Sequence, residues 1–385
     1  TLMPELLGME NRENTPFAEM WMGIHPRGPS KVVLPGTELP LSRFIEEDPE
    51  GVLGSEKAHR HGGTLPFLFK VLAAGNPLSI QAHPDREQAQ AGFEREEKEG
   101  IPVDAFERNY RDRNHKPEVI CALTPFTAMC GFRTVEEIRS GFERIKTDVV
   151  EEKILPAIET GGEEGRRLES FFRSLMTLDD EETEELAGAV ADWADESESE
   201  EARLVRIFYN LHGTDRGIAA PLYLNVLTLQ EGEALFQPAG VLHAYVGGMG
   251  VELMANSDNV LRGGLTKKHV DVDELLSILG FNPRRPDVIH PEETALGIEE
   301  YRVPIDEFLL RRATPEKDRP VDVNGRSSVE IGICVKGGVT ILPGEQTVQP
   351  FPAVTVRRGE SFVVPFGAGG YRIEGGGTAY LATIP

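Results

Sequence analysis

Two segments of the sequence share the frame G-E-x-x-x-x-P-x-G at identical spacing. The first copy runs from Gly232 to Gly240 and the second from Gly359 to Gly367. Each copy combines a turn glycine, a short strand, a proline that stops strand pairing and a glycine that frees the backbone, which is typical of a corner in a small double-sheet barrel, or jelly roll. Two copies predict two related units in one chain.

The chain divides into three regions by residue pattern. Residues 1 to 131 are rich in Gly and Pro between short apolar runs such as LPFLFKVLAA (Leu65 to Ala74), which predicts strands. From Thr134 to Asn210, apolar residues recur at helical spacing between charged ones, which predicts helices with a solvated acidic face. The strand pattern returns at Pro221, is interrupted by a capped helix at DVDELLSILGF, and continues to the C-terminus.

The predicted fold is therefore mainly β with an α insertion, made of two jelly-roll β-barrels plus a helical domain. Residues 1–131 with 211–283 would form a discontinuous catalytic domain that binds a metal. Residues 132–210 would form the helical insertion, and residues 284–385 a C-terminal jelly-roll domain that lacks metal ligands.

The charge of the chain restricts its partners. With 40 Lys and Arg against 64 Asp and Glu, the formal net charge is −24, so the molecule repels nucleic acids and anionic membranes. The three cysteines, Cys121, Cys130 and Cys334, form no CxxC pair and are an odd number, which argues against a disulfide framework and a thiolate zinc site. We expect a soluble, cytoplasmic protein without a signal peptide or a transmembrane span. Because the sequence does not begin with methionine, we expect its natural start to lie further upstream.

Three motifs carry candidate metal ligands. In LSIQAHPD, Gln81 and His83 are two positions apart, so on a strand their side chains point the same way. His243 follows the P-x-G of the first repeat, whereas Gly370 stands at that place in the second. Glu118 in HKPEVICAL supplies a carboxylate, and a long loop over residues 85–113 is expected to separate its strand from that of His83.

These ligands resemble the two-motif cupin pattern, with Q-x-H in place of H-x-H. One amide oxygen, one carboxylate oxygen and two imidazole nitrogens suit Zn²⁺ or another divalent first-row ion. Alternatively, Gln81 hydrogen-bonds a ligand rather than the metal. The other histidines are assigned by default to the surface or to hydrogen-bonded core positions: His25, His59, His61, His115, His212, His269 and His290.

Charged residues lie among apolar ones close to these motifs. They are Glu252, Asp258, Arg262, Lys70 and Lys116. Positive groups near a metal in an acidic protein predict an anionic substrate, most simply a phosphate monoester. Lys267 and Lys268 either begin a solvated helix or contact that phosphate.

Four segments together resemble the type I phosphomannose isomerases: LSIQAHPD, NHKPEVICALTPFTAMCGF, QPAGVLHAYVGGMGVELMANSDNVLRGGLTKKHVD and AEMWMGIHPRGPS. The similarity runs from about Pro4 to Phe281, and the C-terminal region fits more loosely. It implies cupin-type jelly rolls, one Zn²⁺ per chain and interconversion of mannose 6-phosphate and fructose 6-phosphate, feeding mannose and GDP-mannose metabolism. The positions that match the zinc ligands are Gln81, His83, Glu118 and His243.

The resemblance also assigns the pocket. Arg262 matches the catalytic arginine. The substrate-binding positions would be Ser79, Lys70, Tyr245, Asp258, Trp21, Glu19 and Lys268, with Glu252 and Lys116 nearby. We expect a monomer with a small sugar phosphate as its partner.

An aldose becomes a ketose when a proton moves from C2 to C1 through an enediol or enediolate, whose negative charge the metal and Arg262 would stabilise. Glu252 is the first candidate for moving that proton, with Lys116 or metal-bound water as alternatives. Two other classes stay open. An iron-dependent cupin oxygenase would favour ligand sets without an amide, so Gln81 argues against it. A non-catalytic sugar-phosphate-binding barrel would need neither the metal nor Arg262.

Overall fold

The computed structural model describes residues 2–13, 15–160 and 162–385. The strands of the first three quarters of the chain are β1 (Glu19–Met22), β2 (Lys31–Leu34), β3 (Thr37–Pro40), β4 (Phe67–Ala74), β5 (Ile80–Ala82), β6 (Glu118–Ala122), β7 (Phe126–Phe132), β8 (Leu224–Leu229), β9 (Ala234–Gln237), β10 (His243–Ala255), β11 (Leu261–Gly264) and β12 (Val288–Ile289). The remaining strands are β13 (Glu292–Ala295), β14 (Ile298–Tyr301), β15 (Leu309–Ala313), β16 (Val321–Val323), β17 (Glu330–Lys336), β18 (Gly338–Thr347), β19 (Val354–Arg357), β20 (Ser361–Val364), β21 (Gly369–Gly375) and β22 (Thr378–Thr383).

The helices fall into an N-terminal group, a central group and one later helix. They are α1 (Leu2–Leu6), α2 (Leu41–Glu47), α3 (Pro49–Leu53), α4 (Ser55–Arg60), α5 (Arg86–Glu99), α6 (Val135–Phe142), α7 (Leu155–Glu159), α8 (Glu164–Met176), α9 (Asp180–Asp195), α10 (Glu200–His212), α11 (Ala220–Tyr223) and α12 (Val272–Ile278). A π-helical turn (Val150–Ile154) and 3₁₀ turns (Arg216–Ala219 and Phe366–Ala368) complete the regular structure.

The largest sheet has ten strands in two halves that share β10. One half has the order β1-β4-β10-β6-β9-β12, and in the other β10 pairs with β5 and β7, which in turn pair with β11 and β8. All of these pairings are antiparallel. Because β10 runs through both halves, it brings their inner faces together around an apolar layer that includes Leu72, Ile120, Phe126 and Tyr245.

Glycines let β10 turn from one half of the sheet into the other. Gly248 has a φ of +119°, which residues with a side chain rarely adopt, and a Cβ there would lie 2.6 Å from the carbonyl oxygen of Pro125. At Gly250 a Cβ would lie 2.7 Å from Cδ1 of Ile120. A side chain at either position would therefore push β10 away from its neighbours.

The predicted helical region is confirmed by α6 to α10. Capping boxes begin α6, at Thr134 with Glu137, and α9, at Asp179 with Glu182, because each pair satisfies backbone N–H groups that the first turn leaves free. The apolar sides of these helices pack into a core that continues into the half of the sheet carrying β5 and β7. The capped helix predicted at Asp271 is confirmed as α12.

The predicted long loop over residues 85–113 is wrong, because α5 occupies half of it. The side chain of Asp85 caps this helix, and the side-chain oxygen of Gln88 accepts a hydrogen bond from the backbone N–H of Asp85, so the motif D-x-x-Q indicates a helix start. Residues 1–131 also contain α1 to α4, which the strand pattern did not predict.

The C-terminal region contains a six-stranded sheet, β13-β14-β15-β22-β17-β20, and a four-stranded sheet, β16-β21-β18-β19. The two copies of the sequence repeat have the same local structure. In each copy a strand, β9 or β20, begins two residues after a glycine of positive φ, which is +87° at Gly232 and +86° at Gly359. Across the described ranges no sheet closes into a barrel, and the fold is mixed α and β rather than mainly β.

Among the helices in the described part of the chain, none is long and apolar enough to cross a lipid bilayer.

Candidate metal centre and substrate cavity

A row of facing residues crosses β7, β10, β5 and β11. His243 of β10 lies opposite Cys130 on one side and opposite Gln81 on the other, and Gln81 lies opposite Arg262 of β11. Side chains directly opposite each other in an antiparallel ladder share one face of the sheet. The backbone register therefore places Gln81, His243 and Arg262 side by side.

Three ligand-type side chains meet inside the sheet. Nε2 of His83 lies 3.5 Å from Oε1 of Glu118, and Nε2 of His243 lies 3.3 Å from its Oε2. One ligand atom from each residue lies within 4.8 Å of the others. All three side chains are buried, and both Nε2 atoms and Oε2 of Glu118 have no hydrogen-bond partner in the described structure. Buried nitrogen and oxygen atoms without partners that face one point fit a bound divalent cation.

Backbone carbonyl groups hold the two imidazole rings in place through their Nδ1 atoms. Nδ1 of His83 lies 2.7 Å from the carbonyl oxygen of Asn259, and Nδ1 of His243 lies 2.9 Å from that of Val241. A carbonyl only accepts, so each Nδ1 carries the proton and each Nε2 presents a lone pair. Burial, together with the charge of Lys116, lowers the pKa of His83 to about 4, so this ring is neutral at pH 7.

The turn in β10 explains how these groups meet. Glu118 lies opposite Met254, near the end of β10, yet its carboxylate is 3.3 Å from His243 at the start of the same strand. In a straight strand, residues 243 and 254 would be roughly 36 Å apart. The glycine turn therefore brings both ends of one strand close to the same cluster of ligand-type side chains.

A cavity of about 480 Å³ opens above this centre. Its lining includes Lys116, whose Nζ lies 2.9 Å from Oε1 of Glu118, and Lys70, which reaches down to Glu252. The remaining walls come from β1, from Arg27 and Leu68, from residues 104–111 and from residues 254–269. Two buried lysines thus connect the cavity floor with the acidic groups below it.

The cavity wall carries positive groups that are not engaged in ion pairs with the described residues. Among the described residues, Arg111, Arg262 and Lys268 form no ion pair, whereas the carboxylate of Asp258 is already bound by Arg27, at 2.5 Å. Burial lowers the pKa of Lys268, and the nearby charges of Arg262 and Arg111 lower it further. An anion bound there would relieve this repulsion.

Lys70 and Glu252 form a buried ion pair across β4 and β10. Nζ of Lys70 lies 2.9 Å from Oε2 of Glu252, and the two side chains are 8% and 3% exposed. Burial raises the pKa of Glu252, and the ammonium of Lys70 offsets only part of that effect. Burial alone would lower the pKa of Lys70, but the carboxylates of Glu252 and Glu19 raise it. Trp21 covers the pair, with its ring centroid 5.6 Å from Nζ of Lys70.

The comparisons with known proteins agree with this arrangement. The family model described as phosphomannose isomerase type I, catalytic domain, matches residues 2–135. Mannose-6-phosphate isomerase of Escherichia coli is 38% identical over 91% of this chain and 89% of its own length. The chain belongs to the type I phosphomannose isomerase family. The human mannose-6-phosphate isomerase is 35% identical over 88% of this chain and 82% of its own.

Solved structures of this family share the fold over the whole chain. A mutant phosphomannose isomerase from Salmonella typhimurium superimposes with a TM-score of 0.91 at 33% identity, covering 100% of this chain and 95% of that protein. A zinc-bound mannose 6-phosphate isomerase gives a TM-score of 0.89 at 33% identity, covering 99% and 94%. The resemblance to phosphomannose isomerases seen in the sequence is therefore confirmed.

The structure brings half of the predicted site residues to the cavity. These are Lys116, Arg262, Lys70, Trp21, Glu19, Asp258 and Lys268. Glu252 and Tyr245 are buried and do not line it, and Tyr245 packs edge-on against Phe126. Ser79 is half-buried just ahead of β5 and also lies outside the lining. No helix begins at Lys267 and Lys268, since α12 starts at Val272, so that alternative is wrong.

The sequence patterns do not predict the whole of the phosphomannose isomerase cavity. Arg111, Arg27 and His269 line it, whereas the sequence assigns His269 only by default to the surface or to a hydrogen-bonded core position. Arg27 follows His25 in the segment IHPRG, and Arg111 precedes the HKPE motif in RDRNHKPE. Single cationic residues on loops belong to no repeated apolar or polar pattern. Their closeness in sequence to the metal-ligand motifs is the only sequence feature that indicates a place in the cavity.

Proposed function

We propose that this protein is a zinc-dependent mannose-6-phosphate isomerase that interconverts mannose 6-phosphate and fructose 6-phosphate. One observation carries the proposal: the buried cluster of His83, Glu118 and His243 lies below a cavity whose wall holds uncompensated positive charge. Family membership supplies the reaction and the substrate. The proposed product would enter mannose metabolism.

The sheet arrangement supports a proposal about domains. Residues 1–131 with 211–283 would be a metal-binding cupin jelly roll, residues 132–210 a helical insertion and residues 284–385 a second jelly roll without ligands. The equivalent positions of β9 and β20 after their glycines support two related units. All three cysteines are free and buried, which suits the reducing cytoplasm that we propose for this protein.

His83, Glu118 and His243 would hold the zinc ion, and the register next to His243 supports Gln81 as the fourth ligand. When bound, zinc would act as a Lewis acid that stabilises negative charge on the sugar oxygens. Lys116 would hold the carboxylate of Glu118 in place, because their ion pair is buried and short.

The phosphate group would bind at Arg111, Arg262 and Lys268. A dianion pairs well with several guanidinium and ammonium groups, and these three form no competing ion pairs among the described residues. Arg262 lies opposite Gln81 in the ladder, so it is also close enough to the metal centre to stabilise charge that develops during the reaction. Binding the phosphate would hold the sugar in register with the buried carboxylates.

Glu252 would take the proton from C2 and return it to C1. Burial raises the pKa of Glu252, which makes the ionised carboxylate a stronger base, and the ammonium of Lys70 favours that ionised form. Lys116 is the alternative proton carrier because it lines the cavity itself. Glu252 lies just beneath the cavity, so the proposal requires substrate to reach Lys70 and displace part of its contact with that carboxylate.

The test is a coupled assay that follows fructose 6-phosphate formation from mannose 6-phosphate. Activity should disappear after chelation and return on adding zinc. Binding of mannose 6-phosphate without turnover by zinc-loaded protein would support the sugar-binding alternative. If the iron-loaded protein consumes oxygen and forms no fructose 6-phosphate, the oxygenase alternative is supported.

A further inference from the structure

Glu307 belongs to the C-terminal region but contacts the region that holds the metal centre. Its Oε1 atom lies 2.7 Å from Nε2 of His115, and the guanidinium of Arg86 donates to the same oxygen. Arg86 follows His83 by three residues, and His115 precedes Glu118 by three. One carboxylate therefore joins the two segments that carry these proposed zinc ligands.

The position of Glu307 is fixed by its surroundings. The next residue, Phe308, is 1% exposed and packs in a core shared with Met22, Phe67 and Phe69 of the first region. Glu307 lies between β14 and β15, which pair with each other, and its side chain is 9% exposed. Its carboxylate is therefore a rigid support rather than a mobile surface group.

The protonation states of this cluster follow from its contacts. Burial would raise the pKa of Glu307, but hydrogen bonding and charge from His115 and Arg86 lower it to about 2, so the carboxylate is ionised at neutral pH. Nε2 of His115 also lies 2.9 Å from Nη2 of Arg86, but both groups face Glu307. Arg86 can only donate, so a hydrogen bond from it would need a lone pair on Nε2. The ionised carboxylate can only accept, and its shorter contact therefore places the proton on Nε2.

Buried Asn259 also connects the segment of His83 with the segment that leads to Glu118. The carbonyl oxygen of Asn259 accepts from Nδ1 of His83, while its side-chain nitrogen donates to the carbonyl oxygen of Asn114, beside His115. Asn259 is fully buried. The segments around His83 and Glu118 are thus tied together twice, by Asn259 on one side and by Glu307 on the other.

We propose that Glu307 is a positioning residue through which the C-terminal region sets the spacing of His83 and Glu118 and so slows the loss of zinc. The proposal rests on the proposed zinc site. It gives the C-terminal region, which lacks metal ligands of its own, a part in the metal chemistry.

The experiment measures how fast the zinc-loaded full chain transfers zinc to a chromogenic chelator. Glu307→Ala and Glu307→Gln should release zinc about tenfold faster than the unmodified chain, as is usual when a group that supports metal ligands is lost. Glu299→Gln is the matched control, because the ion pair of Glu299 with Arg312 joins β14 and β15 of the C-terminal sheet and includes no residue of either segment. Its zinc release should be unchanged.

A purely structural role predicts a different pattern. It would lower the melting temperatures of zinc-free and zinc-loaded protein equally, whereas the positioning role predicts that zinc stabilises the Glu307 variants less than it stabilises the unmodified chain. Folded Glu307 variants that release zinc at the original rate would overturn the proposal.

Arg86→Gln decides the question if the Glu307 variants do not fold. The Arg86 side chain is 53% exposed, so its replacement spares the core and should still quicken zinc release severalfold. An unchanged rate would overturn the proposal. If the unmodified chain itself binds no zinc, it is the proposed function that fails.

Discussion

Replacing Lys70 by methionine tests the buried ion pair with Glu252. Methionine keeps the length and apolar stem of the side chain but leaves the carboxylate without its cation. Coulomb's law with an effective dielectric constant of about 20 gives roughly 6 kcal/mol for unit charges at this pair's separation. Breaking a buried pair by removing one partner typically costs about 3 to 5 kcal/mol. We expect a loss of stability in that range while Glu252 stays ionised.

The same change should move the pH dependence of activity. A nearby cation lowers a carboxyl pKa by about 1 to 3 units, so losing Lys70 should raise the pKa of Glu252 by a similar amount. Activity requires the ionised base and therefore falls as the pH drops through that pKa. The acid limb of the kcat/KM profile should shift upward by at least about one unit. Stability should be better preserved at pH 5 than at pH 8, because a carboxyl whose folded pKa is raised stabilises the fold only while protonated.

The assays are chemical denaturation at both pH values and the coupled isomerase assay across the pH range. Lys31→Met is the control, because Lys31 forms an ion pair with Glu38 at a similar distance, 2.7 Å, but on the surface. Lys70→Met with Glu252→Gln should recover stability without activity, since neither half of this ion pair is then left buried without its partner. An acid limb that stays in place in Lys70→Met would refute Glu252 as the base.

Three further outcomes are expected. Arg262→Ala should lower turnover by roughly two to three orders of magnitude, because one preorganised group that stabilises developing charge is worth about 2.7–4 kcal/mol. Its circular dichroism spectrum should be unchanged. A turnover within a factor of three of the original would contradict this expectation. His243→Ala should reduce zinc content measured by metal analysis, whereas His290→Ala, at an exposed histidine, should not. Arg111→Gln should raise KM for mannose 6-phosphate by a larger factor than it lowers kcat, and it should weaken inhibition by inorganic phosphate. Equal falls in kcat and kcat/KM, with KM unchanged, would argue against a phosphate contact.

Much of the site was predictable because strands impose simple rules. The Q-x-H spacing and the P-x-G-x-x-H motif place ligands by strand alternation, and the ladder between β5 and β10 keeps that order. The helices α1 to α4 were not predicted, since they are short and lack a repeated apolar period. Closed barrels were expected from the repeat, but strand pairing beyond neighbouring elements depends on contacts that a local pattern does not contain.

The loop cations show the same limit. Arg111 reaches the cavity because the buried side chain of Asn259 accepts a hydrogen bond from its backbone N–H, at 2.7 Å. That contact joins residues 148 positions apart in the chain. No local sequence pattern around Arg111 or Asn259 predicts this hydrogen bond, so it is visible only in the three-dimensional structure.

The glycine turn in β10 also limits which insertions and deletions the sequence can accept during evolution. One continuous strand supplies the imidazole of His243 at its beginning and the carboxylate of Glu252 near its end, so the separation between the two is determined by the backbone. Insertions in the surrounding loops leave that separation intact. An inserted or deleted residue at Gly248 would instead rotate every later side chain of the strand to the opposite face. Variation should therefore collect in the loops and be rare within this turn.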